Sequence, residues 1–284
     1  MKIQWYPGHM TKARRMMEED IRLIDLMIEL LDARIPMASR NPDINTLAKG
    51  KARLVLLNKA DLADDSVTER WAEYFRSQGI TVLKLDARNR SNVKQVQKAI
   101  MEACREKIEK DRRKGIIGRP VRAMVAGIPN VGKSTFINSY AGKSCAKTGN
   151  KPGVTKGKQW IRLSKEVELL DTPGILWPKF EDETVGTHLA LIGAINDQIL
   201  DLKELAYELT GQMLADYPGR LGERYGIEEE EDALKVLSAI AKARGCLKKG
   251  EELDLDKASM LLLDDFRSGK LGRISLEAPA GNEG

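Results

Sequence analysis

The residues most able to do chemistry in this 284-residue chain form a glycine-rich octapeptide at positions 127–134, G-I-P-N-V-G-K-S. Its glycines allow the backbone to approach phosphate groups closely, and the following N–H groups point at them from the start of a helix. Lys133 is expected to act catalytically by neutralising charge between the β- and γ-phosphates, and the Ser134 hydroxyl is expected to ligate Mg²⁺. The segment predicts a nucleoside triphosphate site whose further contacts come from Asn130, Val131, Gly132 and Thr135.

A second segment, N-K-A-D at positions 58–61, selects the base. It follows an apolar run at residues 53–57, which is typical of a buried parallel strand that presents side chains at its C-terminal end. Asp61 is expected to accept hydrogen bonds from guanine N1 and N2, a donor pattern that adenine lacks. Asn58 is expected to brace the base and its surrounding loops, and the stem of Lys59 to cover the ring face. We therefore expect GTP and GDP, and not adenine nucleotides, as ligands.

A third segment, D-A-R at positions 86–88, follows the next predicted strand. It occupies the place of a weaker guanine-binding element, S-A-K. Asp86 and Ala87 are expected to line the guanine site, with the Ala87 N–H contacting O6 of the base. Arg88 stands where lysine is usual, and the serine is absent, so the chemistry of this contact stays open.

Two more segments point to the γ-phosphate and a metal ion. In D-T-P-G at positions 171–174, Asp171 is expected to hold Mg²⁺ through water and the Gly174 N–H to contact the γ-phosphate. Thr155 lies between this segment and the phosphate loop. It is predicted to close over Mg²⁺ in the triphosphate state and to belong to the catalytic set. Ser134, Thr155 and Asp171 are thus the predicted Mg²⁺ ligands.

Composition favours a soluble cytoplasmic protein with three reduced cysteines and no membrane partner, because no apolar run is long enough to span a bilayer. Charge is unevenly spread: residues 1–180 hold 35 Lys/Arg and 20 Asp/Glu (+15), whereas residues 181–232 hold 3 and 14 (−11). Residues 143–162 carry six basic side chains and no acidic one. This pattern favours a front half that binds a polyanion, although such a stretch could also be a solvated loop.

The elements needed to position these segments alternate along the front of the chain. Strands are predicted before the N-K-A-D, D-A-R and phosphate-loop segments, a hairpin over residues 159–170 leads into Asp171, and residues 92–113 are predicted as one long helix. Further helices are predicted over residues 187–195, 201–214, 229–243 and 255–267. We expect an α/β domain with a doubly wound, mostly parallel sheet over residues 1–178, an all-helical domain over 179–277 and a disordered tail over 278–284.

The order of the segments is unusual. A Ras-like GTPase has its phosphate loop first and N-K-x-D late, whereas here N-K-A-D and D-A-R precede the phosphate loop. With W-Y-P-G-H-M at positions 5–10 and D-A-R-I-P at 32–36, the chain resembles the circularly permuted P-loop GTPases of the ribosome biogenesis GTPase A (YlqF) family over nearly its whole length. The resemblance implies a bacterial cytoplasmic factor in late assembly of the large (50S) ribosomal subunit, with ribosomal RNA and ribosomal proteins as partners and RNA contacts made by the helical domain. We expect it to act as a monomer.

Three side chains bear on hydrolysis. Ile175 stands where Ras-like enzymes have a glutamine that orients the attacking water, so we expect slow intrinsic hydrolysis. His9 is predicted to supply the missing group, because imidazole can orient water or accept a proton near neutral pH. The equivalent histidine has this proposed role in the resembling family, and packing or RNA contact is the alternative. Asn130 stands where potassium-activated GTPases carry asparagine, so K⁺ is a second predicted cation, with loop bracing as the alternative.

Two functions are compatible with these features. The first is a GTP-hydrolysing assembly factor that the ribosomal particle stimulates, in which the D-x-x-G segment leads directly into the helical domain. The second is a GTP-controlled RNA-binding scaffold without significant hydrolysis, which the missing glutamine favours. A GTPase domain attached to an RNA-modifying enzyme is disfavoured, because residues 181–284 offer no nucleophile, metal cluster or cofactor loop.

Overall fold

The computed structural model describes residues 18–142, 159–171 and 182–280. These residues form two compact units, one holding those up to 171 together with 277–280 and the other holding 182–276. Each unit has its own buried apolar core. Within the described ranges, no helix is both long and apolar enough to cross a membrane.

A six-stranded sheet forms the centre of the first unit. Its strands are β1 (Leu26–Asp32), β2 (Ala52–Asn58), β3 (Thr81–Leu85), β4 (Val121–Ala126), β5 (Gln159–Arg162) and β6 (Val167–Asp171). Across the sheet they lie in the order β3-β2-β1-β4-β6-β5. Neighbouring strands are parallel except for the antiparallel pair β5 and β6. The predicted fold class, α/β with a mostly parallel sheet, is confirmed.

The central strand β1 is buried along its whole length, which explains its nearly continuous apolar sequence L-M-I-E-L-L-D. Its interior charge, Glu29, is 2% exposed. The Glu29 carboxylate accepts a hydrogen bond from Arg40 Nε at 2.8 Å and forms an ion pair with Arg53. A carboxylate at such a position needs partners of this kind, because an isolated buried charge is very costly.

The helices of the first unit are α1 (Ile44–Leu47), α2 (Asp65–Ser77), α3 (Val93–Ala103), α4 (Arg105–Arg113) and α5 (Lys133–Ala141). The prediction of one continuous helix over residues 92–113 is wrong, because the chain leaves helical geometry at Cys104, with φ −99° and ψ 8°. Cys104 is fully buried, and α3 buries Val96 and Ile100, whereas α4 buries none of its residues. Packing therefore sets the break, since neither glycine nor proline marks it.

The second unit contains the helices α6 (Glu183–Leu191), α7 (Leu202–Asp216), α8 (Arg220–Tyr225), α9 (Ala233–Ala243) and α10 (Leu255–Arg267). The α10 prediction is confirmed, whereas α8 was not predicted. The predicted helix starts at residues 187 and 229 are wrong, because aspartates cap these helices at residues 182 and 232. Asp182 accepts from the Thr184 N–H at 2.8 Å before α6, and Asp232 accepts from the Leu234 N–H at 2.8 Å before α9. Part of the acidic charge in this region therefore stabilises helix N-termini.

The segment formed by residues 277–280 packs within the first unit. The Glu277 carboxylate accepts hydrogen bonds from the N–H groups of Met37 and Ala38. The backbone carbonyl of Glu277 accepts a hydrogen bond from Trp71 Nε1 at 3.0 Å. Arg70 Nη2 donates to the Pro279 carbonyl at 3.1 Å. A disordered tail was expected over residues 278–284, whereas residues 278–280 pack against the first unit through this hydrogen bond.

Candidate functional site

The segments singled out in the sequence meet at one edge of the sheet. N-K-A-D begins at Asn58, the last residue of β2, D-A-R follows Leu85 at the end of β3, and the phosphate loop follows Ala126 at the end of β4. Parallel pairing places Asn58 opposite both Asp32 and Leu85. The C-terminal edge of a parallel sheet is the usual location of ligand sites in such folds.

The side-chain amide of Asn58 connects these segments directly. Its Nδ2 donates a hydrogen bond to the Val131 carbonyl at 2.7 Å, and its Oδ1 accepts one from the Ala87 N–H at 2.9 Å. Asn58 is 2% exposed, so both bonds lie away from water. Asn58 thus connects the loops on its two sides, and its bracing of the base stays a prediction. The Ala87 N–H, for which a contact with guanine O6 is expected, donates to Asn58 in this structure.

The phosphate loop has the shape that its glycines allow. Gly132 has φ +98°, and a Cβ atom there would lie 2.5 Å from Asn58 Nδ2. Asn130 also has a positive φ, of 60°. Lys133 is the first residue of α5 and is 8% exposed, with Ser134 and Thr135 following in the first helical turn. The backbone before α5 therefore turns sharply into a helix N-terminus, as phosphate binding requires.

A buried ion cluster holds Lys59. The Lys59 Nζ lies 3.0 Å from Asp32 Oδ2, and Arg34 contacts the same carboxylate through Nε at 2.9 Å and Nη2 at 2.8 Å. Burial raises the pKa of Asp32, but the charges and hydrogen bonds of Arg34 and Lys59 outweigh it and hold the pKa well below its usual range. Lys59 itself has φ +58°. The cluster thus holds Lys59, the residue next to Asn58. Its other two members, Asp32 and Arg34, belong to the D-A-R-I-P sequence at the end of the buried strand β1.

Asp61 lies in a second, more exposed ion cluster. Arg88 Nη2 donates to Asp61 Oδ2 at 2.6 Å and to Asp86 Oδ2 at 2.9 Å. The hydrogen bonds from the Arg88 side chain, followed by those from its backbone N–H, lower the pKa of Asp86 despite partial burial. Sequence reasoning gave Arg88 no role, because a pairing between the 58–61 and 86–88 segments depends on how β2 and β3 align.

The residues predicted around the γ-phosphate are described only in part. Asp171 ends β6, which pairs with β4, so its backbone lies at the sheet edge from which the phosphate loop emerges. His9, Thr155 and Gly174 lie outside the described residues. Among the residues that are described, no group of three or more His, Cys, Asp and Glu side chains could hold a metal ion.

Comparison with known proteins agrees with this geometry. A family described as 50S ribosome-binding GTPase matches residues 122–213. A protein of Bacillus cereus named ribosome biogenesis GTPase A is 51% identical to 98% of this chain, which corresponds to 95% of that protein. Its namesake in Thermotoga maritima is 34% identical over 98% of this chain and 95% of its own length. This chain belongs to the ribosome biogenesis GTPase A family. It is a GTPase that binds guanine nucleotides and takes part in ribosome biogenesis.

Solved structures of this family share the fold. GDP-bound YlqF is similar with a TM-score of 0.67 and 28% identity, covering 93% of this chain and 99% of that chain. GNP-bound YlqF from T. maritima gives 0.65 and 29%, covering 94% and 98%. The 50S ribosome-binding GTPase family match begins in β4 and leaves out N-K-A-D, which an unpermuted GTPase carries after the phosphate loop. The predicted circular permutation is confirmed.

We predict that Gly132→Ala weakens guanine-nucleotide binding at least tenfold, because the new Cβ would collide with the Asn58 amide at a backbone geometry that disfavours side chains. Titration with a fluorescent GDP derivative measures the effect. Gly142→Ala is the matched control, since it has φ +68° at the other end of α5 but no atom within 4 Å of the place that its Cβ would take. The control is expected to lose only about 1 kcal/mol of stability. Equal loss of affinity in both variants would contradict the role of the Asn58 contact.

We predict that Asp32→Asn lowers the free energy of unfolding by about 3–5 kcal/mol at neutral pH, because it leaves the buried Arg34 and the partly buried Lys59 without their shared carboxylate. The folded-state pKa of Asp32 is lowered, so its stabilising effect is present above the unfolded-state pKa of about 4 and is lost as pH falls below it. Urea unfolding at several pH values is expected to show the gap between wild type and variant shrinking in acid. The exposed Glu73→Gln is the control, and a gap independent of pH would contradict the assignment.

Proposed function

We propose that this GTPase acts in the cytoplasm in late assembly of the large (50S) ribosomal subunit and that the particle stimulates its GTP hydrolysis. The proposed nucleotide site rests on one observation: the side-chain amide of Asn58 joins the phosphate loop to the 86–88 segment at one sheet edge. The large subunit as partner is supported by the family description, 50S ribosome-binding GTPase. We propose that the chain acts as a monomer.

The nucleotide lies with its base at the ends of β2 and β3 and its phosphates at the start of α5. Asp61 accepts hydrogen bonds from the guanine N1 and N2 groups, and the stem of Lys59 covers the ring. Lys133 neutralises charge between the β- and γ-phosphates. The remaining contacts are assigned to Asn58, Asp86, Ala87, Asn130, Val131, Gly132, Ser134, Thr135 and Gly174.

The proposed metal ligands are all hard oxygen donors, as Mg²⁺ prefers. Ser134 lies in the first turn of α5, and Asp171 ends the strand that pairs with β4, so both belong to the same end of the sheet. Thr155 is proposed as the third ligand. Mg²⁺, when bound, neutralises phosphate charge, and K⁺ at Asn130 would add to it. The positive φ of Asn130 places this residue in a sharp turn of the phosphate loop, where the backbone sets the direction of its side chain.

Hydrolysis needs a group that the sequence lacks at position 175. Isoleucine cannot orient a water molecule by hydrogen bonding, so we propose His9 for this role. We also propose that residues 1–178 form the GTPase domain and residues 179–277 a helical RNA-binding domain. The D-T-P-G segment ends the first and leads into the second along the chain, so the presence of the γ-phosphate can bias the RNA contact.

A basic surface segment on the first unit supports contact with RNA. Residues 110–119 read K-D-R-R-K-G-I-I-G-R, and all of residues 112–119 are exposed. Asp111 is paired with Lys107 and Arg119, whereas no ion pair of Lys110, Arg112, Arg113 or Lys114 occurs in the described part of the chain. Exposed clusters of cations of this kind are typical of phosphate-binding surfaces.

We predict that large subunits accelerate GTP hydrolysis by the wild type and that His9→Ala loses most of this acceleration, about 100-fold, while still binding the particle. Turnover is measured with and without purified large subunits, and small subunits test the specificity. His188→Gln is the control, because His188 is the chain's other histidine and is buried in the helical unit. Equal rates for wild type with and without particles would reject the proposed stimulation.

We predict that reversing two charges of the basic segment, Arg112→Glu with Arg113→Glu, weakens co-sedimentation with large subunits. The slope of log affinity against log salt is expected to fall by about 0.7–0.9 for each phosphate that the variant no longer binds. Lys94→Glu with Lys98→Glu, on the exposed side of the neighbouring α3, makes the same change in net charge. If both pairs weaken binding equally, overall charge and not this segment determines the affinity.

A further inference from the structure

Arg88 makes the contact that the sequence left open, and it joins two guanine-binding segments. We propose that Arg88 is a positioning residue that holds the Asp61 carboxylate in the orientation needed to read both N1 and N2 of guanine. The inference rests on the proposed role of Asp61 and adds to it a residue that does not itself touch the base. The D-A-R segment would thus replace S-A-K by an ion-pair bridge.

The guanidinium of Arg88 binds the two carboxylates as a fork. Its Nη2 contacts Asp61 Oδ2 at 2.6 Å and Asp86 Oδ2 at 2.9 Å, while its Nε contacts Asp86 Oδ1 at 2.9 Å. The Arg88 backbone N–H also donates to Asp86 Oδ1 at 2.9 Å. Asp86 therefore fixes the guanidinium, and the guanidinium in turn fixes Asp61. A planar, rigid donor set of this kind orients its partners better than a single ammonium group can.

The residue types at positions 86 and 88 explain why a bridge is needed. A serine at position 86 could donate its hydroxyl hydrogen to Asp61, whereas the carboxylate of Asp86 can only accept. Both carboxylates have an oxygen within 2.9 Å of the same nitrogen atom, so without a cation between them they would repel each other. Arg88 removes this repulsion and supplies the missing donor.

The second carboxylate oxygen of Asp61, Oδ1, takes no part in the contact with Arg88. Asp61 Oδ1 is buried and has no hydrogen-bond partner among the described residues, although a third of the Asp61 side chain is exposed (33%). A buried carboxylate oxygen of this kind needs a donor. Guanine supplies two adjacent donors, N1–H and N2–H₂, and a carboxylate oriented through Oδ2 can accept from both, since each oxygen has two acceptor positions.

The consequence is a specific loss of base discrimination. Arg88→Ala is expected to weaken GDP binding about fivefold to tenfold, the effect of one partly exposed charge-assisted hydrogen bond, mainly through faster dissociation. Inosine nucleotides lack the N2 amino group. The ratio of GDP to IDP affinity is therefore expected to fall as well, because a freely rotating Asp61 no longer holds both acceptors in the plane of the base.

The test compares GDP and IDP affinities of full-length variants by competition with a fluorescent GDP derivative. Arg76→Ala is the matched control, because Arg76 forms an exposed ion pair with Glu69 elsewhere in the first unit, at 2.8 Å. Arg88→Lys is expected to bind with intermediate affinity. Asp86→Ser combined with Arg88→Lys rebuilds S-A-K and is expected to recover wild-type affinity to within about threefold, since the serine can donate to Asp61. A purely destabilising effect would weaken GDP and IDP equally and would not be rescued.

Three results would overturn the inference. Arg88→Ala could bind GDP more tightly, which would make Arg88 a competitor of the base. It could leave the GDP to IDP ratio unchanged, or the rebuilt S-A-K variant could fail to recover. Asp61→Asn tests the underlying role separately, since it is expected to shift preference from guanine to xanthine nucleotides. If that shift is absent, the placement of the base fails; if it is present while Arg88→Ala matches wild type, only the role of Arg88 fails.

Discussion

The whole nucleotide site depends on one buried amide. Asn58 uses both ends of its side-chain amide, and because it is buried, removing the partner at either end would leave a polar atom unsatisfied. This requirement fixes the carbonyl of Val131 on one side and the N–H of Ala87 on the other. It also leaves no room for a side chain at Gly132. The phosphate loop and the 86–88 segment are thereby held at a fixed separation.

Such a constraint does not depend on the order of segments along the chain. β2, β1 and β4 are neighbours in the sheet and run parallel, so the loops after them leave at the same edge whichever strand comes first. Circular permutation changes only the connections. Here residues 114–120 join α4 to β4, and residues 114–119 of this connection belong to the exposed basic segment. The junction lies away from the strand ends that carry the site, because β4 begins where the connection stops.

The sequence predicts that these segments converge, but not which residues form ion pairs between them. Apolar strands followed by N-K-A-D, D-A-R and the phosphate loop were sufficient to place Asn58, Lys59 and Lys133 at one sheet edge. The ion pairs from Lys59 to Asp32 and from Arg88 to Asp61 could not be predicted, because they depend on the register of β1 with β2 and of β2 with β3. The break at Cys104 likewise follows from tertiary packing. The roles of His9, Thr155 and Gly174 stay predictions, since these residues lie outside the described ranges.

The arrangement separates recognition of the base from detection of the γ-phosphate. The base contacts are proposed for residues 58–61 and 86–88, which ion pairs and the Asn58 amide fix within the first unit. Such contacts stabilise GTP and GDP complexes equally and cannot by themselves shift a conformational equilibrium. The segments assigned to the γ-phosphate, at 155 and 171–174, come last in this part of the chain, immediately before the helical unit in sequence. We therefore propose that a nucleotide-dependent change in the helical unit arises from these last segments, because they are assigned to the γ-phosphate and directly precede that unit in sequence.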